Sequence, residues 1–532
     1  MTDEANPSSK RLASSAGVAG TATMSSRLLG LIREQVLASL FGAGNAMDAF
    51  NVAFRIPNLV RDLFAEGAMS AAFVPTFTKE LATKGKEAAW RLGSLVLNSL
   101  LVITGLLVVA GLIFSEPMVK AFAGSYIDVP GKLDLTVHLT RIILPFLTLV
   151  ALAAGVMGML NSLNRFFIPA LSPAMFNIGI IACAIFLVPI MSLAGLEPIT
   201  AIAIGALVGG LGQLALQWPL LIREGFRYRP ILNFRDPGLR QILLLMGPAT
   251  LGLAATQINL FVNTVLATGE GTGAVSWLNY AFRIMYLPIG IFGVSIATAS
   301  VPAVSRQAAV NDAPAIRKTV ADSLSLTMVM NIPATIGLIV LASPIVQILF
   351  ERRAFTPLDT AATAAALQLY AIGLLGYAAV RITSPVFYAL GQSRIPATVT
   401  VMIVLVNVGL NLFFVQLFGY RGLALGTSLA ALLNASTLLF LLRRRLGGLE
   451  DSRILLTLIK IMTAAILMGL AVSWVEATVN QWLPGDAIFL QLIKLSIAIS
   501  AGIAVLTTTA HLLRVNEFRE AMSLLTRRFG RH

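Results

Sequence analysis

The residues able to do chemistry are concentrated between Met24 and Pro75. There Arg27, Arg33, Glu34, Asp48, Arg55, Arg61, Asp62 and Glu66 interrupt a stretch otherwise apolar enough to span a membrane. A charge at the centre of hydrocarbon costs roughly 2.5–3.5 kcal/mol on insertion scales, so such residues persist where they meet water or each other. Arginine is the surplus species. Its guanidinium stays ionised and offers a planar fork of donors that fits phosphate oxygens, so the pattern is suited to holding an anion in a wet cleft. On a helix from about residue 46, Asp48, Arg55, Asp62 and Glu66 fall within about 40° of one another, while Arg61 projects elsewhere. Pro57 interrupts that ladder and makes the stripe certain only in halves. On the preceding helix Arg27 and Glu34 share a face, with Arg33 about 120° away. Arg283 and Arg381 stand in later apolar runs. Internal pairing accounts equally well for Arg55, Asp62 and Glu66, whose opposite charges lie one or two turns apart. It accounts less well for Arg27, Arg33, Arg61 and Arg283, which outnumber the carboxylates within reach.

Other chemistries lack their residues. The single Cys183 lies in an apolar run and leaves neither a disulfide framework nor a thiolate metal site. His138, His511 and His532 are scattered, and no nucleophile elbow or metal-ligand spacing occurs. The GEGTG at 269–273 has no strand-to-helix context for a nucleotide. Gly205 and Gly209 form a small-xxx-small pair suited to helix packing. Lys460 and Lys494 read as snorkelling side chains, as does Arg141.

The elements that must position these charges follow from composition. Of 532 residues 57% are hydrophobic and 12% charged, and the mean hydropathy is +0.83. A soluble fold could not cover that apolar surface, so the class is an all-α polytopic membrane protein. Fourteen spans are expected, at roughly 12–41, 46–78, 90–116, 134–162, 168–192, 197–222, 240–267, 273–304, 319–343, 359–390, 395–418, 421–442, 454–476 and 486–513. The net charge of +14 suggests nucleic acid at first, but its distribution follows the membrane. With both termini inside, and with Arg91, Arg240 and Arg421 at span ends counted with the adjoining loops, 25 of the 39 Lys and Arg fall in inside loops and tails, five outside and nine within spans. No aromatic-interleaved basic domain accompanies them, which excludes nucleic acid as partner. The loop holding Glu351, Arg352 and Arg353 opposes the rule without reversing it.

The halves repeat. Ala53-Phe54-Arg55-Ile56 returns as Ala281-Phe282-Arg283-Ile284, Val74-Pro75 as Val301-Pro302, and Ile168-Pro169-Ala170 as Ile395-Pro396-Ala397. The offset stays at 227 or 228. Six spans per copy is an even number, so both copies enter the bilayer in the same sense, as in transporters with parallel repeats and a cavity between two lobes. The expected organisation is a cytoplasmic tail at 1–11, an N-lobe at 12–222, a basic linker at 223–239, a C-lobe at 240–446, two extra helices at 447–515 and a basic cytoplasmic tail at 516–532.

The segments SSRLLGLIRE, FGAGNAMDAFNVAFRIPNLVRDLFAEGAMSAAFVP, VSWLNYAFR and NRFFIPALSP resemble the MurJ (MviN) lipid II flippases of bacteria. The resemblance covers essentially the whole chain. It implies a fold like that of the MATE-like and polysaccharide exporters (the MOP superfamily), with a cationic central cavity and a tail groove on the last two helices. It implies no enzyme and no cofactor, with Na+, H+ or Cl− coupling at a site the sequence does not locate. The implied partners are lipid II (undecaprenyl-diphosphate-linked MurNAc-pentapeptide-GlcNAc), membrane lipids and the cell-wall synthesis machinery, for a functional monomer in the inner membrane. By motif, Ser26, Arg27, Arg33, Arg61 and Arg283 take the substrate-binding positions, and Glu34, Asp48, Arg55 and Glu66 form a charge network around them. Glu34 stands where many members have aspartate, and Tyr286 where some carry an acid. Rival readings are a MATE-like drug exporter, which the arginine excess opposes, a polysaccharide-repeat flippase sharing the cavity charge, and a polyprenyl-phosphate enzyme, for which the catalytic residues are missing.

Overall fold

The computed structural model describes residues 7–62, 69–290, 294–485, 487–515 and 517–519, and every regular element among them is helical. Ten described helical stretches are long and apolar enough to cross a membrane. The first two expected spans and the pair at 240–304 are not among the ten. Three of these four carry Arg27, Arg33, Arg55, Arg61 and Arg283, and the helices that bear Arg55 and Arg283 are described over only 17 and 15 residues.

The chain divides into two compact units, residues 1–275 with 352–354, and 276–351 with 355–532. In the first, α1 (Pro7–Phe41) begins inside the expected tail at 1–11. Then come α2 (Asn45–Arg61), α3 (Met69–Ile113), the short α4 (Ser115–Ala123), a 3-10 turn at Gly124–Asp128, α5 (Lys132–Ile143), α6 (Phe146–Ser162), α7 (Phe167–Leu193), α8 (Thr200–Arg223) and α9 (Pro237–Thr268). The loop expected at 79–89 is instead helical on both sides of Gly85, whose φ of 82° puts a sharp break there without a side chain to clash. The span expected at 134–162 is split at Leu144–Pro145, where proline cannot donate into the ladder. The unit also runs past the expected N-lobe limit at 222, because α9 packs on α3 and α4.

The core of this unit is aromatic and small at once. Phe73, Phe77, Trp90, Met159 and Phe226 form one buried cluster between α3, α6 and α9. Where α7 meets α8, a Cβ on Gly179 would lie 2.5 Å from the backbone nitrogen of Gly209, and one on Gly209 would lie 2.6 Å from the Cα of Phe176. Gly205 and Gly209 thus let two backbones touch, as the small-residue spacing predicts.

The second unit takes in α10 (Ala274–Pro288) from Ser276 onward, then α11 (Val294–Ala309), α12 (Ala313–Val340), the short α13 (Ala342–Phe350), α14 (Pro357–Ile372), α15 (Leu374–Ala389), α16 (Arg394–Phe418), α17 (Tyr420–Leu446), α18 (Asp451–Trp482) and α19 (Ile488–Leu512). The extra pair α18 and α19 packs together, with α18 against α12 and α19 against α13.

The element boundaries repeat as the sequence does. The ends of α3 and α12 at 113 and 340, the starts of α4 and α13 at 115 and 342, the ends of α6 and α15 at 162 and 389, and the starts of α7 and α16 at 167 and 394 all differ by 227. Pro117 and Val119 of α4 match Pro344 and Val346 of α13 at the same spacing. The broken span α5–α6 is matched by α14–α15, interrupted at Gly373 instead of proline.

Candidate functional site

In the first unit the expected residues occupy distinct environments. Arg27 is exposed on α1, and Ser26 beside it is half-buried. Two turns on, the Arg33 and Glu34 side chains are 8% and 6% exposed and paired. Nε of Arg33 donates to Oε1 of Glu34 at 3.1 Å, Nη2 donates to the same oxygen, and Nη1 donates to Oδ1 of Asn177 at 2.9 Å. The guanidinium lies 5.2 Å over the Phe176 ring. Nδ2 of Asn177 in turn donates to the carbonyl of Ser26 at 3.0 Å. One amide on α7 therefore fixes α1 at two places, and the ring next to it covers the cation. Arg33, which the sequence assigns among surplus arginines, is in this conformation a buried, internally paired one. Asn177 and Phe176 were missed. The available signal was an asparagine in the middle of a 27-residue apolar helix.

On α2, Arg55 is half-buried. Arg61 closes the helix with Nε and Nη2 on Oδ1 of Asp62, at 3.1 and 2.7 Å. One acid partner of Arg61 is thus Asp62, its neighbour in sequence, a member of the stripe from which Arg61 itself projects away. Glu66 lies outside the described residues.

Asp48 is fully buried near the start of α2. Its Oδ2 accepts from Nζ of Lys132 at 2.9 Å and from the backbone N–H of Gly273 at 2.7 Å. Lys132 is itself buried, its ammonium 4.1 Å over the Tyr126 ring. Burial and the nearby Asp48 charge push the Tyr126 phenol far above its ordinary value. A span drawn from 134 leaves Lys132 in a loop, which is why the sequence did not offer it as a partner. Beside the pair, Thr272 donates to Oδ1 of Asn45 at 2.8 Å. The GEGTG segment thus closes against the start of α2, a structural use consistent with its poor fit to a nucleotide.

In the second unit Arg283 is half-buried on α10. Its neighbour Phe282 meets Tyr286, Tyr370 and Tyr377 at centroid distances of 5.8, 5.4 and 6.4 Å. Tyr286 receives a hydrogen bond from Nη2 of Arg381 at its hydroxyl, and that guanidinium stands 5.6 Å from its ring centre. Where an acid would give Arg381 a counter-charge, this chain supplies a phenol oxygen and a ring face.

Among the described residues no group of three or more metal-ligating side chains occurs. What this arrangement offers is cation, exposed at Arg27 and paired with neighbouring carboxylates at Arg33 and Arg61.

The profile of the lipid II flippase MurJ family matches residues 37–493. A probable lipid II flippase MurJ of Vibrio cholerae is 35% identical over 437 residues, covering 81% of this chain and 82% of that protein. The lipid II flippase MurJ of Burkholderia cenocepacia is 33% identical over 434 residues, covering 81% and 83%. A solved structure of a lipid II flippase MurJ in an inward closed conformation superposes with a TM-score of 0.77 at 28% identity, covering 93% and 99%. An inward-facing multidrug MATE transporter of the MOP superfamily reaches 0.67 at 17% identity, covering 82% and 99%, and shares the fold.

Proposed function

The chain belongs to the lipid II flippase MurJ family, and on that premise we propose that it carries lipid II from the inner to the outer leaflet of the bacterial cytoplasmic membrane by alternating access. The family is one of transporters, and the described helices make this a multi-pass membrane protein. A sugar-peptide head joined to a diphosphate cannot enter hydrocarbon, so the protein must give the head a polar route while the polyprenyl tail stays in lipid. The observation that carries the reading is the contrast on α1 between an exposed Arg27 and a buried Arg33 held by Glu34.

In this mechanism Arg27 meets the diphosphate first. The substrate then competes with Glu34 for Arg33, whose fork suits phosphate oxygens at least as well as carboxylate. Arg61 and Arg283 complete the anionic contacts, Ser26 lies alongside, and Arg55, Asp48 and Glu66 belong to the charge network. Glu34 returns to Arg33 on release, so the acid limits how tightly the head is held. The 447–515 helices guide the tail. Both termini lie in the cytoplasm, as the positive-inside count supports. An inside-negative potential assists an outbound anion by about 2.3 kcal/mol per charge per 100 mV, with Na+, H+ or Cl− as possible coupling ions. The protein acts as a monomer on lipid II within the cell-wall synthesis machinery.

The test is lipid II in liposomes containing the purified protein. Intact lipid II reaching the far leaflet, faster with the potential imposed in the stated sense, supports the proposal. Release of phosphate, or movement of cationic drugs in place of lipid II, refutes it.

A further inference from the structure

Away from the arginines, a cleft of about 500 Å³ opens in the second unit between α13, α18 and α19. Its polar lining is supplied at helical spacing, by Ser343 and Gln347 on α13, Glu476 and Asn480 on α18, and Gln491 and Lys494 on α19. Glu476 and Lys494 are both half-buried. Among the described residues neither makes a salt bridge, to the other or to any third group. Lys494 spends one N–H on the carbonyl of Gly485 at 3.2 Å, leaving two donors. A carboxylate and an ammonium sharing one cleft without neutralising each other complement a ligand that carries both charges. Leu341, Leu495 and Ala498 form the apolar part of the wall.

The position of the cleft selects the ligand's source. It lies where α18 and α19 join, and Trp474 and Trp482, 72% and 80% exposed, bracket Glu476 and Asn480 on α18. Exposed tryptophans mark the level of the headgroups, and exposed Phe489 and Leu492 continue the apolar surface beside Gln491. We propose that this cleft binds the headgroup of a phosphoethanolamine lipid, with Glu476 accepting from its primary ammonium and Lys494 donating to its phosphate. A choline headgroup offers Glu476 no N–H, and a glycerol headgroup offers it no cation. The cleft lies on the two helices proposed to guide the tail but uses none of the residues assigned to the diphosphate or its charge network, and it stands whether or not lipid II is the substrate.

The shared chemistry, a primary ammonium close to an anion, also occurs in soluble peptides, so the test separates the two sources. Purified full-length protein is exposed to phosphatidylethanolamine, phosphatidylglycerol or phosphatidylcholine of matched chains, and retained lipid is read by native mass spectrometry. Phosphatidylethanolamine should be retained over both others by about tenfold, the scale of one charge-assisted hydrogen bond. Glu476→Gln should abolish that preference, and Lys494→Gln should lower retention of all three. Asn480→Ala, which leaves both charges in place, should keep the preference and guards against a folding artefact. Equal retention of the three lipids by the wild-type protein overturns the assignment, as does an unchanged preference in Glu476→Gln. Displacement of the lipid by glycylglycine as readily as by phosphoethanolamine overturns it in favour of a peptide ligand.

Discussion

Replacing Lys132 with methionine should be among the most damaging single changes in the first unit. The substitution keeps most of the side chain's volume against Tyr126 and removes only the ammonium. What remains is an Asp48 carboxylate with no exposed surface, whose described neighbours include one backbone N–H from Gly273 at 2.7 Å. Breaking a buried ion pair from one side costs about 3–5 kcal/mol, because the surviving charge cannot return to water. Asp48→Asn with Lys132→Met removes both charges and leaves an amide that can still accept from Gly273. The double variant should therefore recover most of the loss, giving a coupling of about 3 kcal/mol between the sites. Because Asp48 sits near the start of α2 and Lys132 at the start of α5, the pair sets where α2 begins, and with it Arg55 and Arg61. Thermal unfolding of the four proteins in one detergent measures the cycle. A Lys132→Met protein as stable as the wild type, or a double variant worse than both singles, refutes the reasoning.

Arg27→Ala and Arg283→Ala should each abolish support of growth in cells depleted of their own flippase, with membrane levels of protein unchanged by immunoblot. Normal growth with both replaced removes them from the mechanism. Asn177→Leu should cost about 1–3 kcal/mol, because it strips Arg33 of one buried acceptor and removes the side-chain donor that ties α7 to the Ser26 carbonyl; thermal unfolding reads the loss. Tyr126, with its phenol held above the ordinary value of 10.0, binds its proton more tightly folded than unfolded. Its contribution to stability is therefore complete below pH 10.0 and declines as pH rises beyond it, and Tyr126→Phe should be less sensitive to alkali when unfolding is followed against pH.

The class of fold was legible because hydropathy needs no tertiary information. Breaks in helices were not legible: Pro57, read as interrupting the ladder, lies inside the continuous α2. Pro145 splits a span drawn as one segment, whereas the equivalent split at Gly373 follows packing, since a Cβ there would lie 2.8 Å from the Cα of Ser428. The arginines were found by being expensive. Their partners were not, because partnership is a matter of three-dimensional neighbourhood. Asn177 is 144 residues from Arg33, and Lys132 is 84 from Asp48. Helical angles correctly separated Arg33 from the face of Arg27, yet Arg33 and Arg61 took the adjacent acids Glu34 and Asp62, which an angular argument puts at 100°. Long side chains bend round the helix, so a face drawn through Cβ atoms does not locate a guanidinium.

The duplication explains which of these features belong to the scaffold and which to chemistry. Boundaries at a constant spacing, the short α4 and α13, and the interrupted α5–α6 and α14–α15 are kept in both units, so they answer to packing that both copies need. The polar tie between the second and fourth spanning segments is also kept, but its polarity is exchanged. Lys132 on α5 holds Asp48 of α2, whereas Asp359, its counterpart 227 residues on, sits on α14 and accepts from Nε1 of Trp277 on α10 at 2.8 Å. Asp359 also closes a capping box with Thr356 and so serves the start of α14 directly. The first unit thus buries an ion pair where the second manages with an indole and a capped acid. A buried charge pair is seldom needed for stability alone. Its place in the unit that also carries Arg27, Arg33 and Arg61 fits the proposal that Asp48 belongs to their charge network, a role that Asp359, committed to the start of α14, does not share.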